Sequence, residues 1–132
     1  MVVRPLRMLS TELQSFLDEI RDLPDFAGLG ERTVGVSSRG LLSDTPLHFA
    51  ARRGNTKMIA LLLDAGAEID ARGEYGHTPL HEAVGQGHVE AVRLLLSRGA
   101  DASVPNDWGQ TPKQCAKIGG MHEIEILFAD VA

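Results

Sequence analysis

Two stretches of the chain carry apolar residues at the spacing of a buried helical face. They run from Met58 to Gly66 and from Ala91 to Gly99, and each ends at a glycine, the residue that commonly closes a helix. The pattern predicts two α-helices with a broad buried face. Its members are Met58, Ile59, Leu61, Leu62 and Leu63 in the first helix and Ala91, Val92, Leu94, Leu95 and Leu96 in the second.

A 33-residue repeat surrounds these helices. Thr-Pro recurs at a constant interval, at Thr45, Thr78 and Thr111, and 12 of the aligned positions are identical between 44–76 and 77–109. A shorter third copy, 110–132, keeps the Thr-Pro pair. Threonine before proline is typical of a helix start. Each copy therefore predicts a short first helix, a break at Gly54, Gly87 or Gly120, and the apolar second helix.

The connections between copies, 67–77 and 100–110, are rich in Gly, Asp, Asn and Pro and predict extended loops or β-turns. With Thr-Pro-Leu-His at 45–48 and 78–81, the pattern resembles the ankyrin-repeat family over residues 39–132. The resemblance implies an all-α fold, a solenoid of stacked helix-turn-helix units with projecting β-turn loops. Such units bury their apolar faces only by stacking, so the ends must be capped.

The two ends depart from the repeat. Residues 1–38 form a separate N-terminal region, in which apolar positions predict an amphipathic capping helix over 10–22, with a capping box of Thr11 and Gln14. Residues 24–38 are predicted to be irregular, with a brief strand-like stretch at 33–36 and room for a degenerate repeat. Ser43 replaces the glycine of later copies, which predicts a less regular turn. In the third copy, Lys113-Gln114 replaces Leu-His, as suits a terminal unit facing water.

The charge and composition of the chain disfavour several classes of partner and function. The net charge of −5 opposes binding to a phosphate backbone, so no nucleic-acid partner is expected. No apolar run is long enough for a membrane span and no secretory leader is evident, so the expected location is cytoplasmic and no membrane partner is expected. The single cysteine, Cys115, has no disulfide partner within the chain and lacks a recognisable base, which favours a bystander thiol over a nucleophile.

His48 and His81 lie one repeat apart, so a metal site formed by the two histidines is one hypothesis. The sequence does not indicate the additional Cys, His or carboxylate ligands that such a site would need. The family resemblance implies instead that they form hydrogen bonds within and between repeats. His77, His88 and His122 are predicted to be exposed. The sequence has no glycine-rich phosphate-binding loop, and no pair of its carboxylates has a spacing that would indicate a catalytic site. We therefore predict that the protein is not an enzyme and that it needs neither a cofactor nor a metal.

The loop tips carry the strongest functional signal. Tyr75 and Trp108, the only Tyr and the only Trp, lie one repeat apart, and Leu42 occupies the equivalent place in the first repeat. Tyrosine and tryptophan are enriched in interface hot spots, which favours partner contact, whereas the alternative is that the rings lean on the neighbouring loop. The resemblance places further groove residues by register: Arg39, Leu41, Asp44, Arg52, Arg53, Arg72, Glu74, His77, Gly85, Gln86, Pro105, Asp107 and Gln110. Their arginines either dock an acidic partner patch or merely solvate an exposed face.

These observations predict a monomeric module that binds another protein through its groove and loop tips. Small size and acidity suggest an inhibitor or immunity protein, like stand-alone ankyrin-repeat proteins of bacteria. The alternative is a structural or assembly protein that self-associates through its N-terminal helix or its end repeats. A hydrolase or metal enzyme would require bound metal or a reactive thiol.

Overall fold

The computed structural model describes residues 10–23 and 34–129. This part of the chain is helical and contains no β-strand, as the repeat pattern predicted. Val34 and Val36, in the stretch predicted to be strand-like, have no strand structure, and Thr33 lies outside the described residues, as does most of the predicted degenerate repeat. The α-helices are α1 (Thr11–Arg21), α2 (Pro46–Arg52), α3 (Thr56–Asp64), α4 (Pro79–Gly85), α5 (Val89–Ser97), α6 (Pro112–Ile118) and α7 (His122–Ala129), and a 3₁₀ turn covers Glu74–Gly76.

The Thr-Pro pairs start helices α2, α4 and α6, as predicted. In α4, Thr78 Oγ1 accepts a hydrogen bond from the His81 amide at 3.3 Å, and His81 Nδ1 accepts one from the Thr78 amide at 3.0 Å. This reciprocal arrangement is a capping box. In α6 the same position holds Gln114, whose Oε1 accepts from the Thr111 amide at 2.9 Å. Glutamine therefore serves where the first two copies use histidine.

The helices form two layers. The first helices of the copies, α2, α4 and α6, pack successively on one another, and the second helices, α3, α5 and α7, do the same behind them. The core lies between the layers and runs unbroken along the stack. Its fully buried large side chains include Leu47, Ile59, Leu62, Leu80, Val84, Leu95, Ile124 and Phe128.

Helix α1 caps the first repeat, as predicted, by packing against α3. It buries Leu13, Phe16, Leu17 and Ile20. The predicted capping box of Thr11 and Gln14 is wrong, because the residue before the helix caps it: Ser10 Oγ accepts from the Leu13 amide at 3.2 Å.

The third copy ends the stack with polar residues. Leu80, Val84 and Val92 are completely buried in the second copy. Their equivalents one repeat later are Lys113, Lys117 and Glu125, of which the two lysines are exposed. Charged side chains at positions that are buried elsewhere are the mark of a terminal capping repeat.

Within the described residues, three hairpin turns project from the stack and close with equivalent hydrogen bonds. Their closing hydrogen bonds run from the amides of Gly40, Gly73 and Asn106 to the carbonyls of Asp44, His77 and Gln110, each at 2.8 Å. The predicted irregularity at Ser43 is wrong. Its φ of 72° matches those of the equivalent glycines, Gly76 (70°) and Gly109 (78°), because the hairpin imposes a left-handed conformation whatever the residue.

Replacing Ser43 with glycine is therefore expected to stabilise the protein. A residue with a Cβ in the left-handed region costs roughly 1–2 kcal/mol, and the greater freedom of glycine in the unfolded chain offsets part of the gain. We expect the free energy of unfolding to rise by up to about 1 kcal/mol, measured by urea denaturation. Ser37→Gly is the matched control, since Ser37 lies in an exposed turn without a positive φ. A Ser43→Gly variant less stable than wild type would contradict the expectation.

Candidate functional site: the loop edge and groove

Large apolar side chains project from the hairpin tips into solvent. Leu41 and Leu42 in the first hairpin are 69% and 53% exposed, Tyr75 in the second is 54% exposed, and Trp108 in the third is 63% exposed. Among the described residues the other exposed large apolar side chains are Ile118 and Ile126, in the C-terminal cap. Most of the exposed apolar bulk therefore lies along one edge, which we call the loop edge.

Tyr75 and Trp108 contact each other across neighbouring hairpins. Their ring centroids are 5.3 Å apart, with planes inclined by 39°. Each ring thus leans on the neighbouring loop and still exposes more than half of its surface, so contact with a partner stays a prediction. The Asp107 amide also donates to the Tyr75 carbonyl at 2.9 Å, which links the two hairpins through the backbone.

His77 supports this aromatic pair. Its ring centroid lies 6.1 Å from Tyr75 and 6.2 Å from Trp108. On its other side it stacks on His81 at 5.2 Å with nearly parallel planes. The side chain is only 28% exposed, so His77 connects the loop edge to the buried start of α4.

Arg39 and Arg72, predicted to face a partner, tie adjacent hairpins together. Arg39 Nη1 donates to the Ser43 carbonyl at 2.9 Å and to the Arg72 carbonyl, one repeat on, at 2.8 Å. Arg72 repeats the arrangement, with 3.3 Å contacts to the Gly76 carbonyl and to Asp107. Pro105 occupies the third equivalent position, where the series ends. These guanidinium groups are engaged within the protein.

A charged triad that the sequence did not reveal lies below the first two hairpins. Arg52 contacts Asp44 at 2.7 Å and Glu82 at 2.9 Å. Asp44, predicted to line the groove, is only 1% exposed, and its second oxygen accepts from the Glu74 amide at 2.9 Å. The triad thus joins helices α2 and α4 to the second hairpin.

One signal in the sequence points to this triad. Its three members stand at positions where the other copies have no Asp, Glu, Lys or Arg. In this register Asp44 corresponds to His77 and Gln110, and Arg52 to Gly85 and Ile118. Glu82 corresponds to Phe49 and Cys115. Charged residues that occur in only one copy of the repeat, at positions that stacking brings together, are candidates for pairing with one another.

The contact between Arg52 and Glu82 keeps both side chains ionised at neutral pH. Burial alone would raise the pKa of the Glu82 carboxyl, but its contacts with His77 and Arg52 outweigh burial and lower the pKa to about 2. The hydrogen bond with Glu82 raises the pKa of Arg52 above its usual value. One guanidinium therefore serves two carboxylates, which leaves the triad with a net negative charge.

A pocket of about 480 Å³ opens beside the triad at the N-terminal end of the groove. Among the described residues its wall is mainly apolar, with Leu23 from the end of the cap, Leu41 and Leu42 from the first hairpin, and Phe49 from α2. Asp44, Arg52 and Glu74 complete it. The Arg52 guanidinium also lies 5.1 Å from the centre of the Phe49 ring, within the range of a cation–π contact.

Other predicted groove residues are placed differently. Arg53 pairs with Glu19 at 2.9 Å and lies 6.0 Å from the Phe16 ring, so its side chain serves the N-terminal cap. Gly85 and Gln86 are exposed at the end of α4, where they take no part in the pocket. Gln110 is half-buried, and its carbonyl accepts from His81 Nε2 at 2.9 Å.

The capping histidines link successive repeats, as the resemblance implied. Each Nδ1 accepts from a threonine amide, so the neutral ring carries its proton on Nε2. From there His48 donates to the His77 carbonyl at 2.8 Å, and His81 donates to the Gln110 carbonyl. Burial lowers the pKa of both His48 and His81, which keeps both rings neutral.

The remaining candidate groups offer no catalytic arrangement. His88, predicted to be exposed, is half-buried, with its Nε2 3.0 Å from the Arg52 carbonyl. Burial raises the pKa of the Cys115 thiol, away from the reactive thiolate. Within residues 10–23 and 34–129, no group of three or more His, Cys, Asp or Glu side chains is placed to hold a metal ion. In the same residues no helix has the length and apolarity to cross a membrane.

Comparison with known proteins supports the resemblance to ankyrin repeats that the 33-residue repeat indicated. The family model for ankyrin repeats in three copies matches residues 29–106, more than half of the chain. An ankyrin repeat protein of fowlpox virus (strain NVSL) is 42% identical over 40 residues, which cover 30% of this chain and 6% of the viral protein. Ankyrin repeats are generally protein–protein interaction modules, and the family is typically non-enzymatic.

Proposed function

Because the chain belongs to the ankyrin-repeat family, we propose that it binds one partner protein through the loop edge and the adjoining groove. The observation that carries this proposal is the row of exposed apolar side chains at Leu41, Leu42, Tyr75 and Trp108. Exposed apolar surface gathered in one place is typical of an interaction site. The hairpins that carry it are fixed to one another, so binding would order few groups and lose little entropy.

The backbone of Tyr75 supports the same proposal. Its φ of 57° is in the left-handed region, where an aromatic residue with a Cβ is strained by roughly 1–2 kcal/mol. Glycine or asparagine would adopt this conformation with less strain. A strained residue that projects an aromatic ring to solvent is a reasonable candidate for function.

The finer proposal is that the protein acts by occlusion, as an inhibitor or immunity protein that covers a surface of its partner. Its small size and net charge of −5 are compatible with such a role and disfavour nucleic acid as the partner. We also propose that it works as a monomer, because the second helix layer is covered by α1 at one end and the last repeat ends in polar residues.

The test is affinity capture from native extract with three forms of the protein. The Tyr75→Ala/Trp108→Ala variant removes the aromatic pair, and Ile126→Ala, which removes an exposed apolar residue of the second helix of the C-terminal cap, is the control. We expect wild type and control to capture the same protein and the aromatic variant to lose it by at least about tenfold, as hot-spot truncation does. Circular dichroism checks that all three are folded.

Two outcomes would count against the proposal. Equal capture by the aromatic variant would remove the loop edge from the binding site. Concentration-dependent self-association in analytical ultracentrifugation, without any captured protein, would favour the alternative of a structural or assembly protein.

A further inference from the structure

The pocket beside the charged triad has the size of a specific binding pocket. At about 480 Å³ it falls within the range of roughly 300–1,000 Å³ in which proteins hold small ligands, and it is ample for one or two side chains of a partner. It adjoins the loop edge, since Leu41 and Leu42 belong to both. A segment lying along the loop edge would therefore reach the pocket.

The charges around this pocket are predominantly negative. Asp44, Glu74 and Glu82 supply three carboxylates, and Arg52 supplies one guanidinium, already shared by Asp44 and Glu82. The Glu74 carboxylate is partly exposed at the pocket wall and forms no ion pair with any described residue. The local balance is two negative charges.

The neighbouring arginines, Arg39, Arg53 and Arg72, lie outside the described wall of the pocket. Arg39 and Arg72 donate to hairpin carbonyls, and Arg72 also contacts Asp107. Arg53 is paired with Glu19 in the cap. The sequence interpretation that these arginines dock an acidic patch stays a prediction for the surface outside the pocket.

Building on the proposed function, we propose that the partner presents an extended segment in which an apolar side chain stands next to lysine or arginine. The apolar side chain enters the pocket against Leu41 and Phe49, and the cation meets the Glu74 carboxylate at its wall. Apolar burial supplies affinity, and the opposite charges select the sequence.

The experiment selects random-sequence peptides displayed on phage against the full chain and measures the selected peptides by fluorescence anisotropy. We expect enrichment of an apolar residue adjacent to Lys or Arg. Glu74→Gln is expected to weaken these peptides about two- to fivefold, with less effect at high salt, as for a partly exposed ion pair. Glu68→Gln is the matched control, because Glu68 is an exposed carboxylate of the same connection outside the pocket.

A second variant tests the apolar half of the proposal. Leu41→Ser is expected to weaken the same peptides about fivefold or more, whereas Ile126→Ser in the C-terminal cap leaves them unchanged. Enrichment of acidic peptides, absence of any enrichment, or equal affinity for Glu74→Gln and wild type would overturn the inference. If native capture still depends on Tyr75 and Trp108 in that case, the proposed function stands and only the chemistry of the partner is wrong.

Discussion

Replacing Arg52 with methionine is expected to lower the free energy of unfolding by about 2–4 kcal/mol. The substitution removes the guanidinium that the buried carboxylates of Asp44 and Glu82 share, and it leaves Glu82 with its 3.5 Å contact to His77. Breaking a fully buried pair in this way costs about 3–5 kcal/mol, and the Arg52 side chain is 33% exposed, so solvent reduces the effect. Urea denaturation followed by circular dichroism measures the change. Since domains are stable by only about 5–15 kcal/mol, the loss is large.

Two further variants separate the triad from a general effect of removing arginine. Arg93→Met is the control, because Arg93 forms an exposed pair with Glu90 at 3.5 Å, worth no more than about 0.5 kcal/mol. Arg52→Met combined with Asp44→Asn and Glu82→Gln removes all three charges together and is expected to recover most of the lost stability. If Arg52→Met unfolds at the same urea concentration as Arg93→Met, the triad does not stabilise the fold.

The repeat made most of the fold predictable because the same physical problem recurs at the same spacing. Thr45, Thr78 and Thr111 each start a helix, and the apolar stretches after Met58 and Ala91 each fill the same layer of the core. A pattern that recurs at a fixed period is strong evidence for a structural element, because each copy supports the assignment made in the other. The prediction for Ser43 failed for a related reason: the identity of one residue was given more weight than the hairpin, whose hydrogen bonds set the conformation.

The position of the candidate site could be predicted from the sequence, whereas the contacts within it could not. Register alone placed Leu42, Tyr75 and Trp108 along one edge, where all three are exposed. Register does not show which charges meet. Asp44 and Glu82 belong to different copies of the repeat, and their sharing of Arg52 depends on how α2 and α4 stack. The hydrogen bonds of Arg39 and Arg72 to neighbouring hairpins could not be predicted for the same reason, although both residues are exposed and stand one repeat apart.

Acid is expected to weaken the fold through His48 and His81. Burial lowers the pKa of both rings below the usual 6.5. Between that lowered value and 6.5, the unfolded chain binds protons that the folded protein does not, so stability is present above about pH 6.5 and falls as the pH decreases. With two such rings the slope reaches at most about 2.7 kcal/mol per pH unit. A further loss follows below the usual pKa of 4.5 for glutamate, as Glu82 approaches its folded value of about 2.

The third copy of the repeat suggests the variant that tests this expectation, because Gln114 caps α6 without a titrating group. In His48→Gln/His81→Gln the capping boxes can form, while the bonds to the His77 and Gln110 carbonyls are lost, at about 1–3 kcal/mol each near neutral pH. Urea denaturation between about pH 7 and pH 5 should then show a much smaller slope than in wild type. His122→Gln, which changes an exposed histidine of α7 outside the capping boxes, is the control for the loss of a histidine. A flat wild-type profile over this range would mean that the two imidazoles are not held neutral, whereas a steep one that glutamine abolishes assigns the acid sensitivity to the histidines that join the repeats.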